Sequence, residues 1–185
     1  GLGYIGTELC KLYSGVSWHH EIIVIDNRFI SERVNQIRNW NMEFIQGDIL
    51  DKDLVQKYCE NADVVHHLAG VTDVPRTQSE ASKAQDEKII DVGERGTQNI
   101  LESISDKCKI IFPSTHVVYE GINEVKTNIM EDEQLKPVLS YSSSKAINEN
   151  QLKKSGKNYV ILRLGSVYGY STDSMRIDIM PNLFS

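Results

Sequence analysis

Apolar residues recur along this chain in two alternating rhythms. Short apolar runs rich in β-branched residues read as buried strands: Glu21–Asp26 (EIIVID), Met42–Gln46, Asp63–Leu68 (DVVHHL), Lys109–Phe112 (KIIF) and Asn158–Leu164 (NYVILRL). Between them lie stretches with helical spacing: Ile5–Ser14, Ser31–Arg38 with Ser31 as its cap, Asp51–Tyr58 with Asp51 near its N-cap, Ala81–Ser105 and Tyr141–Lys154. Gly93 and Gly96 weaken the middle of the long helix by roughly 1 kcal/mol each relative to alanine. Pro113 is expected to stop the strand KIIF, and Gly47-Asp48 to form a turn. Thr72–Gln78 and Glu120–Pro137 are polar and irregular, and the pattern weakens after Gly169.

Strands that alternate with helices predict βαβ units and a parallel sheet covered by helices on both faces. The fold class is therefore α/β, a Rossmann-type doubly wound parallel sheet. The three glycines of GLGYIG, Gly1–Gly6, imply a sixth strand ahead of residue 1, so the sequence is expected to be truncated before its first strand. One dinucleotide-binding domain is expected over 1–169. Residues 170–185 are expected to begin a substrate-binding region that is mostly missing.

The glycine spacing Gly-x-Gly-x-x-Gly gives that opening a chemical meaning. At the first strand–helix turn of a dinucleotide-binding fold, Gly1 would make the turn and Gly3 would let backbone approach a pyrophosphate. Gly6 would pack helix on strand, and the N–H groups at the helix start would face the phosphates. Asp26 ends the next strand, 20 residues after Gly6, where a carboxylate would bind the ribose hydroxyls. That carboxylate would repel a 2′-phosphate, which favours NAD over NADP; Arg28 close by keeps NADP open.

A second cluster is YSSSK. Tyr141 and Lys145 stand four apart, on one helix face. A phenol with a pKa about 10 is a poor base at neutral pH, and a nearby ammonium lowers that value by stabilising the phenolate. Upstream, Thr115 follows the strand KIIF, where its hydroxyl could hydrogen-bond a reacting oxygen.

Composition removes several alternatives. The net charge is −6 and no block of Lys/Arg occurs, so nucleic acid is not an expected partner. No apolar run approaches the ~20 residues of a membrane span. Cys10, Cys59 and Cys108 are odd in number and widely spaced, as for free thiols in a reducing compartment, and a cytoplasmic location is expected. His66 and His67 are neighbours on a strand and point to opposite faces, so no metal site is expected there; His19 and His20 fall in a loop.

These stretches, in this order, resemble an extended short-chain dehydrogenase/reductase of the NAD-dependent epimerase/dehydratase group, with UDP-glucose 4-epimerase-like members. GLGYIG resembles the tail of the motif T-G-x-x-G-x-I-G, and IDN at 25–27 resembles the end of strand two. GDI at 47–49 resembles a segment whose aspartate lies near the adenine, and HLAG at 67–70 resembles H-L-A-A, which lines the cofactor. STHVVY at 114–119, YSSSK and RLGSVYG at 163–169 resemble the remaining motifs.

The resemblance implies that Tyr141 is the acid/base, that Lys145 lowers its pKa and binds the nicotinamide ribose, and that Thr115 positions the sugar hydroxyl. It implies cofactor contacts from Gly1, Gly3, Tyr4, Ile5, Gly6, Asp26, Asn27, Asp48, Ile49, Leu68, Ala69 and Gly70, and a substrate contact from Ser166. It further implies a nucleotide-sugar substrate and a homodimer. Departures from the family pattern are Gly93 and Ser166 in place of asparagines, and Glu120 in place of the glycine after Val118-Tyr119. The 4,6-dehydratases of the group carry Asp-Glu directly after the threonine, where this chain has His116-Val117. Elimination of water is thereby disfavoured and 4-epimerisation favoured. Other sugar reductases, dehydratases and dehydrogenases of the scaffold remain alternatives, as does a non-catalytic dinucleotide sensor.

Overall fold

A computed structural model describes residues 1–71 and 82–171. The polar loop expected over Thr72–Gln78 and nearly all of the 170–185 region lie outside the described residues. In chain order the elements are α1 (Tyr4–Tyr13), β1 (Ile23–Asp26), α2 (Ser31–Asn39), β2 (Glu43–Gln46), α3 (Lys52–Cys59), β3 (Val64–His66), α4 (Lys83–Ser103), β4 (Lys109–Thr115), a 3-10 turn (His116–Tyr119), α5 (Ser140–Lys154) and β5 (Asn158–Leu164). All strand pairs are parallel: β1 with β2, and β3 with β4 with β5. The five strands of the described residues thus form two parallel sheets, an α/β arrangement of the Rossmann type.

The contacts divide the chain into two compact units, Gly1–Leu54 with the described residues from Ser166 on, and Val55–Gly165. In the first, Leu2, Cys10, Val24, Val34, Ile37, Met42 and Phe44 form one buried core, with Tyr13, Ile22 and Trp40 packed against it. Apolar positions of α1 and α2 meet alternate positions of β1 and β2 there, as the two periods require. In the second, Ile110 and Phe112 of β4, Ile100 and Leu101 of α4 and Leu152 of α5 are buried.

Three local expectations change. Pro113 does not stop β4, which runs to Thr115 and pairs with β5 in unbroken register from Lys109↔Asn158 to Thr115↔Leu164. Alternate residues of β4 address opposite neighbours. Ile111 addresses the β3 side, its carbonyl accepting from the N–H of His67, so Pro113 turns the same way. The β3–β4 register ends at His66↔Ile111, so the missing N–H of Pro113 costs no ladder bond. Ser31 does not cap α2: Ile30 holds the N-cap position and Ser31 is the first helical residue. The glycines in α4 do more than weaken it. A Cβ at Gly93 would lie 2.1 Å from Ser144 Oγ, so its bare backbone lets α5 pack closely on α4. The Ser144 hydroxyl then donates to the Ile89 carbonyl (3.3 Å), and Gln151 donates to the Glu94 carbonyl (3.0 Å).

Candidate active site

The candidate residues fall into two groups, one in each unit. In the first unit, α1 starts at Tyr4, and its first ladder bond is Thr7 N–H to Gly3 O (2.9 Å). The N–H groups of the turn ahead of it, those of Ile5 and Gly6 included, have no acceptor within the helix. Gly3 occupies the N-cap without a capping side chain, and a Cβ there would meet nothing within 4 Å. At Gly1 the opposite holds, since a Cβ would sit 2.3 Å from the Ile25 carbonyl. The turn therefore lies hard against the end of β1 and is open above Gly3, a fit for an approaching pyrophosphate.

Asp26 secures this turn. Its Oδ2 accepts from Leu2 N–H (2.7 Å) and its Oδ1 from Arg28 N–H (2.9 Å). Arg33 of α2 donates to the Leu2 carbonyl (2.7 Å), and the Tyr4 hydroxyl donates to the Gly169 carbonyl (2.5 Å). Asp48 accepts from Leu50 N–H (2.9 Å) and from the Asn27 amide (3.1 Å), so two of the expected cofactor contacts are joined directly. Ile49 is half-buried and Ser166 is exposed.

In the second unit, Thr115 ends β4, and its Oγ1 accepts from Val117 N–H (3.3 Å), starting the 3-10 turn. A hydroxyl that accepts there keeps its own proton to donate. Tyr141 is half-buried in the first turn of α5. One turn on, the Lys145 amine stands 5.9 Å from the Tyr141 ring centre and 4.5 Å from that of Phe112. It donates to the Pro113 carbonyl (2.8 Å), which leaves two donors of an ammonium for other acceptors. Desolvation lowers the Lys145 pKa from 10.5 to about 8. An amine so placed gains when an anion forms beside it.

Leu68 and Ala69, just past β3, are half-buried and Gly70 is exposed. His67 is buried; its Nε2 pairs with Thr97 Oγ1 (2.9 Å), and its ring packs 5.3 Å from Phe112. Desolvation, then the charge of Lys145, lowers its pKa to about 3, so His67 is neutral. Among the described residues its Nδ1 has no partner.

The sequence motifs did not name the support beneath this cluster. Glu149 is fully buried, and it accepts from Ser114 Oγ (2.6 Å) and from Arg163 Nε (3.0 Å) and Nη2 (2.6 Å). Arg163 also donates to the Tyr119 hydroxyl and to the Glu131 carbonyl (2.8 Å). Desolvation alone would raise the Glu149 pKa, but the bonds from Arg163 and Ser114 prevail and lower it. The one available signal was position: Glu149 follows Lys145 by four residues, one turn along the same helix.

Among the described residues no helix is long and apolar enough to cross a membrane. The three cysteines are free and buried.

Known proteins are similar to this chain in sequence and in fold. CDP-paratose 2-epimerase of Salmonella typhi is 31% identical over 199 aligned positions that take in 91% of this chain and 56% of that protein. dTDP-D-glucose 4,6-dehydratase of Dictyostelium discoideum is 27% identical across 91% of this chain and 43% of its own length. The chain thus spans about half the length of these relatives. Among solved structures, a variant of UDP-glucuronic acid 4-epimerase from Bacillus cereus, in complex with UDP-4-deoxy-4-fluoro-glucuronic acid and NAD, superposes with a TM-score of 0.79 at 26% identity. It is matched over 97% of this chain and 58% of its own. Residues 1–183 match the NAD dependent epimerase/dehydratase family, and with a glycine turn braced on Asp26 and a Tyr141/Lys145 helix, the chain belongs to that family.

Proposed function

We propose that this protein is an NAD-dependent nucleotide-sugar epimerase that inverts the sugar C4 by transient oxidation. The observation that carries the reading is the Lys145 amine, one helical turn on from Tyr141, 5.9 Å from its ring centre, with its pKa lowered to about 8 by desolvation. Such an amine favours the phenolate that the reaction needs at neutral pH. When bound, NAD supplies the site that takes and returns the hydride.

Tyr141 then removes the proton of the C4 hydroxyl as that carbon is oxidised to a ketone. It returns the proton after the ketone has turned over and been reduced on its other face. Thr115 donates its hydroxyl proton to the reacting oxygen, and Lys145 holds the phenolate and a ribose hydroxyl. The cofactor's other end is assigned to the Gly1–Gly6 turn, with Asp26 on the adenosine ribose and Asn27 and Asp48 near the adenine. Asp26 supports NAD over NADP. His116 and Val117 stand where dehydration would need an acid and a base, which supports epimerisation over elimination. A homodimer belongs to this reading, and sedimentation of the full-length protein tests it.

The deciding experiment is Tyr141→Phe in the full-length protein. NAD binding is expected to persist, and epimerisation to fall by about 10²–10⁴-fold, the usual worth of a positioned acid/base. Turnover near the wild-type level would overturn the mechanism.

A further inference from the structure

The segment after Thr115 reaches across to the start of α5. The 3-10 turn ends at Glu120, whose Oε1 accepts from the N–H groups of Val138 (2.8 Å) and Leu139 (2.8 Å) and from the Ser142 hydroxyl. Leu139 is the N-cap of α5 and Ser142, fully buried, is its third residue. Two backbone bonds join the same segments, Lys136 N–H to Val118 O (2.9 Å) and Gly121 N–H to Lys136 O (2.8 Å).

A helix start normally carries its own acceptor, most often Ser, Thr, Asp or Asn at the N-cap. Leu139 has none; Ser142 Oγ accepts weakly from the Val138 (3.3 Å) and Leu139 (3.2 Å) N–H groups, and Glu120 brings a carboxylate to the same two donors at shorter range. Its negative charge also suits the positive end of the helix. Burial works against ionisation of this carboxyl, but the bonds from Ser142, Leu139 and Val138 outweigh it and lower its pKa. From Thr115 through the 3-10 turn and Glu120 to Ser142, the bonded path leads to the turn that holds Tyr141 as its second residue. A glycine at 120, the residue of the motif this stretch resembles, could not make these bonds.

We propose that Glu120 is a positioning residue that holds the first turn of α5, and with it the Tyr141 phenol, in fixed register with Thr115. This rests on the function proposed above. A clamp of this kind serves the reacting geometry and leaves the glycine turn of the other unit untouched.

The test uses the full-length protein with NAD and a nucleotide sugar that the wild type turns over. Glu120→Ala is expected to lower kcat about 10- to 100-fold, the cost of misplacing a reacting group by about 1 Å. KM and the Kd for NAD are expected to stay within about twofold, because the clamp does not touch either ligand. Glu120→Gln keeps an oxygen acceptor at the same reach and is expected to recover kcat to within about threefold of wild type. Glu120→Asp, one methylene short, is expected to remain impaired. Equal kcat values for the wild type and the alanine variant would overturn the proposal, as would loss of NAD affinity in step with kcat. Should Glu120→Ala fail to fold, Gln and Asp decide: wild-type kcat in both overturns it, and recovery in Gln alone upholds it. A wild-type protein that turns over no nucleotide sugar overturns the proposed function and this role with it. An active wild type indifferent to Glu120 overturns this role alone.

Discussion

The two groups of candidate residues are made of different materials. The glycine turn and its surroundings work through backbone: Leu2 N–H on Asp26, first-turn N–H groups ahead of the α1 ladder, and a Gly1 that leaves no room for a side chain. The Tyr141 group works through side chains held from beneath by an ion pair, Glu149 with Arg163, and by the Ser114 hydroxyl. A backbone site is written in glycines and spacing. A side-chain site depends on partners that come from distant positions, here β4, α5 and β5.

The sharpest break of this contrast is Glu149→Ala. It leaves the Arg163 guanidinium half-buried and without its carboxylate, and Ser114 without an acceptor. Removing one partner of a buried pair costs about 3–5 kcal/mol. Thermal unfolding is expected about 10 °C lower, at 2–4 °C per kcal/mol for a chain of this size. The sign with pH follows from the lowered carboxyl. The wild type holds this contribution above the ordinary carboxyl value of 4.5 and loses it as pH falls through the lower folded value. The difference in Tm between wild type and variant should therefore shrink in acid. A difference that stays constant down to acid unfolding would show that the charge of Glu149 contributes nothing.

Next in size is Lys145→Met, which separates stability from chemistry. The drop in the lysine pKa from 10.5 to about 8 corresponds to about 3 kcal/mol held against folding at neutral pH. That cost is fully present below about pH 8 and is relieved as pH rises from there toward 10.5. Methionine removes it, and also removes the bond to the Pro113 carbonyl, worth about 1 kcal/mol. The variant is expected to be more stable at pH 7 by about 1–2 kcal/mol in denaturant unfolding, yet to lose about 10²-fold in turnover. A variant that loses both stability and turnover would make Lys145 a packing residue.

The smaller backbone effect is Gly1→Ala. The added Cβ must displace the Ile25 carbonyl, which belongs to β1 and has no rotamer to escape by. NAD affinity is expected to fall about tenfold, read by titration, while kcat at saturating NAD changes little. The same change at Gly3, which meets nothing within 4 Å, isolates the open side of the turn, where only a bound phosphate would feel the methyl.

The contrast also explains what could be read from sequence. The strand and helix order, the glycine turn, Asp26, and the Tyr141/Lys145 pair all follow from local period or spacing, and the fold built from them is the one observed. Thr115 was placed at the strand end, but Pro113 misled: only knowing that β3 ends at His66 shows that its missing N–H faces no ladder. Gly93 read as a weakness because its benefit lies in Ser144, 51 residues away. Glu120 read only as a departure from a motif, because its three donors lie beyond an irregular stretch of chain. Long-range partners leave no period in the sequence.

Asp26 tests where the two materials meet, because it is a side chain that serves a backbone site. In the structure both of its oxygens are engaged, by Leu2 N–H and Arg28 N–H. It is also the carboxylate expected to choose between cofactors, and these roles respond differently to Asp26→Asn. Asparagine has one oxygen acceptor, so it keeps one backbone bond and forfeits the other, at about 0.5–1.5 kcal/mol. If bracing the turn is all Asp26 does, NAD and NADP affinities fall together by a few-fold. If its charge also repels a 2′-phosphate, NADP affinity rises while NAD affinity falls, and their ratio shifts by about tenfold, the equivalent of 1.4 kcal/mol. The second outcome is expected, since Arg28 stands two residues away to pair with a phosphate once the carboxylate charge is gone. Parallel titrations with the two cofactors at one ionic strength distinguish the cases, and a constant ratio would reduce Asp26 to a brace.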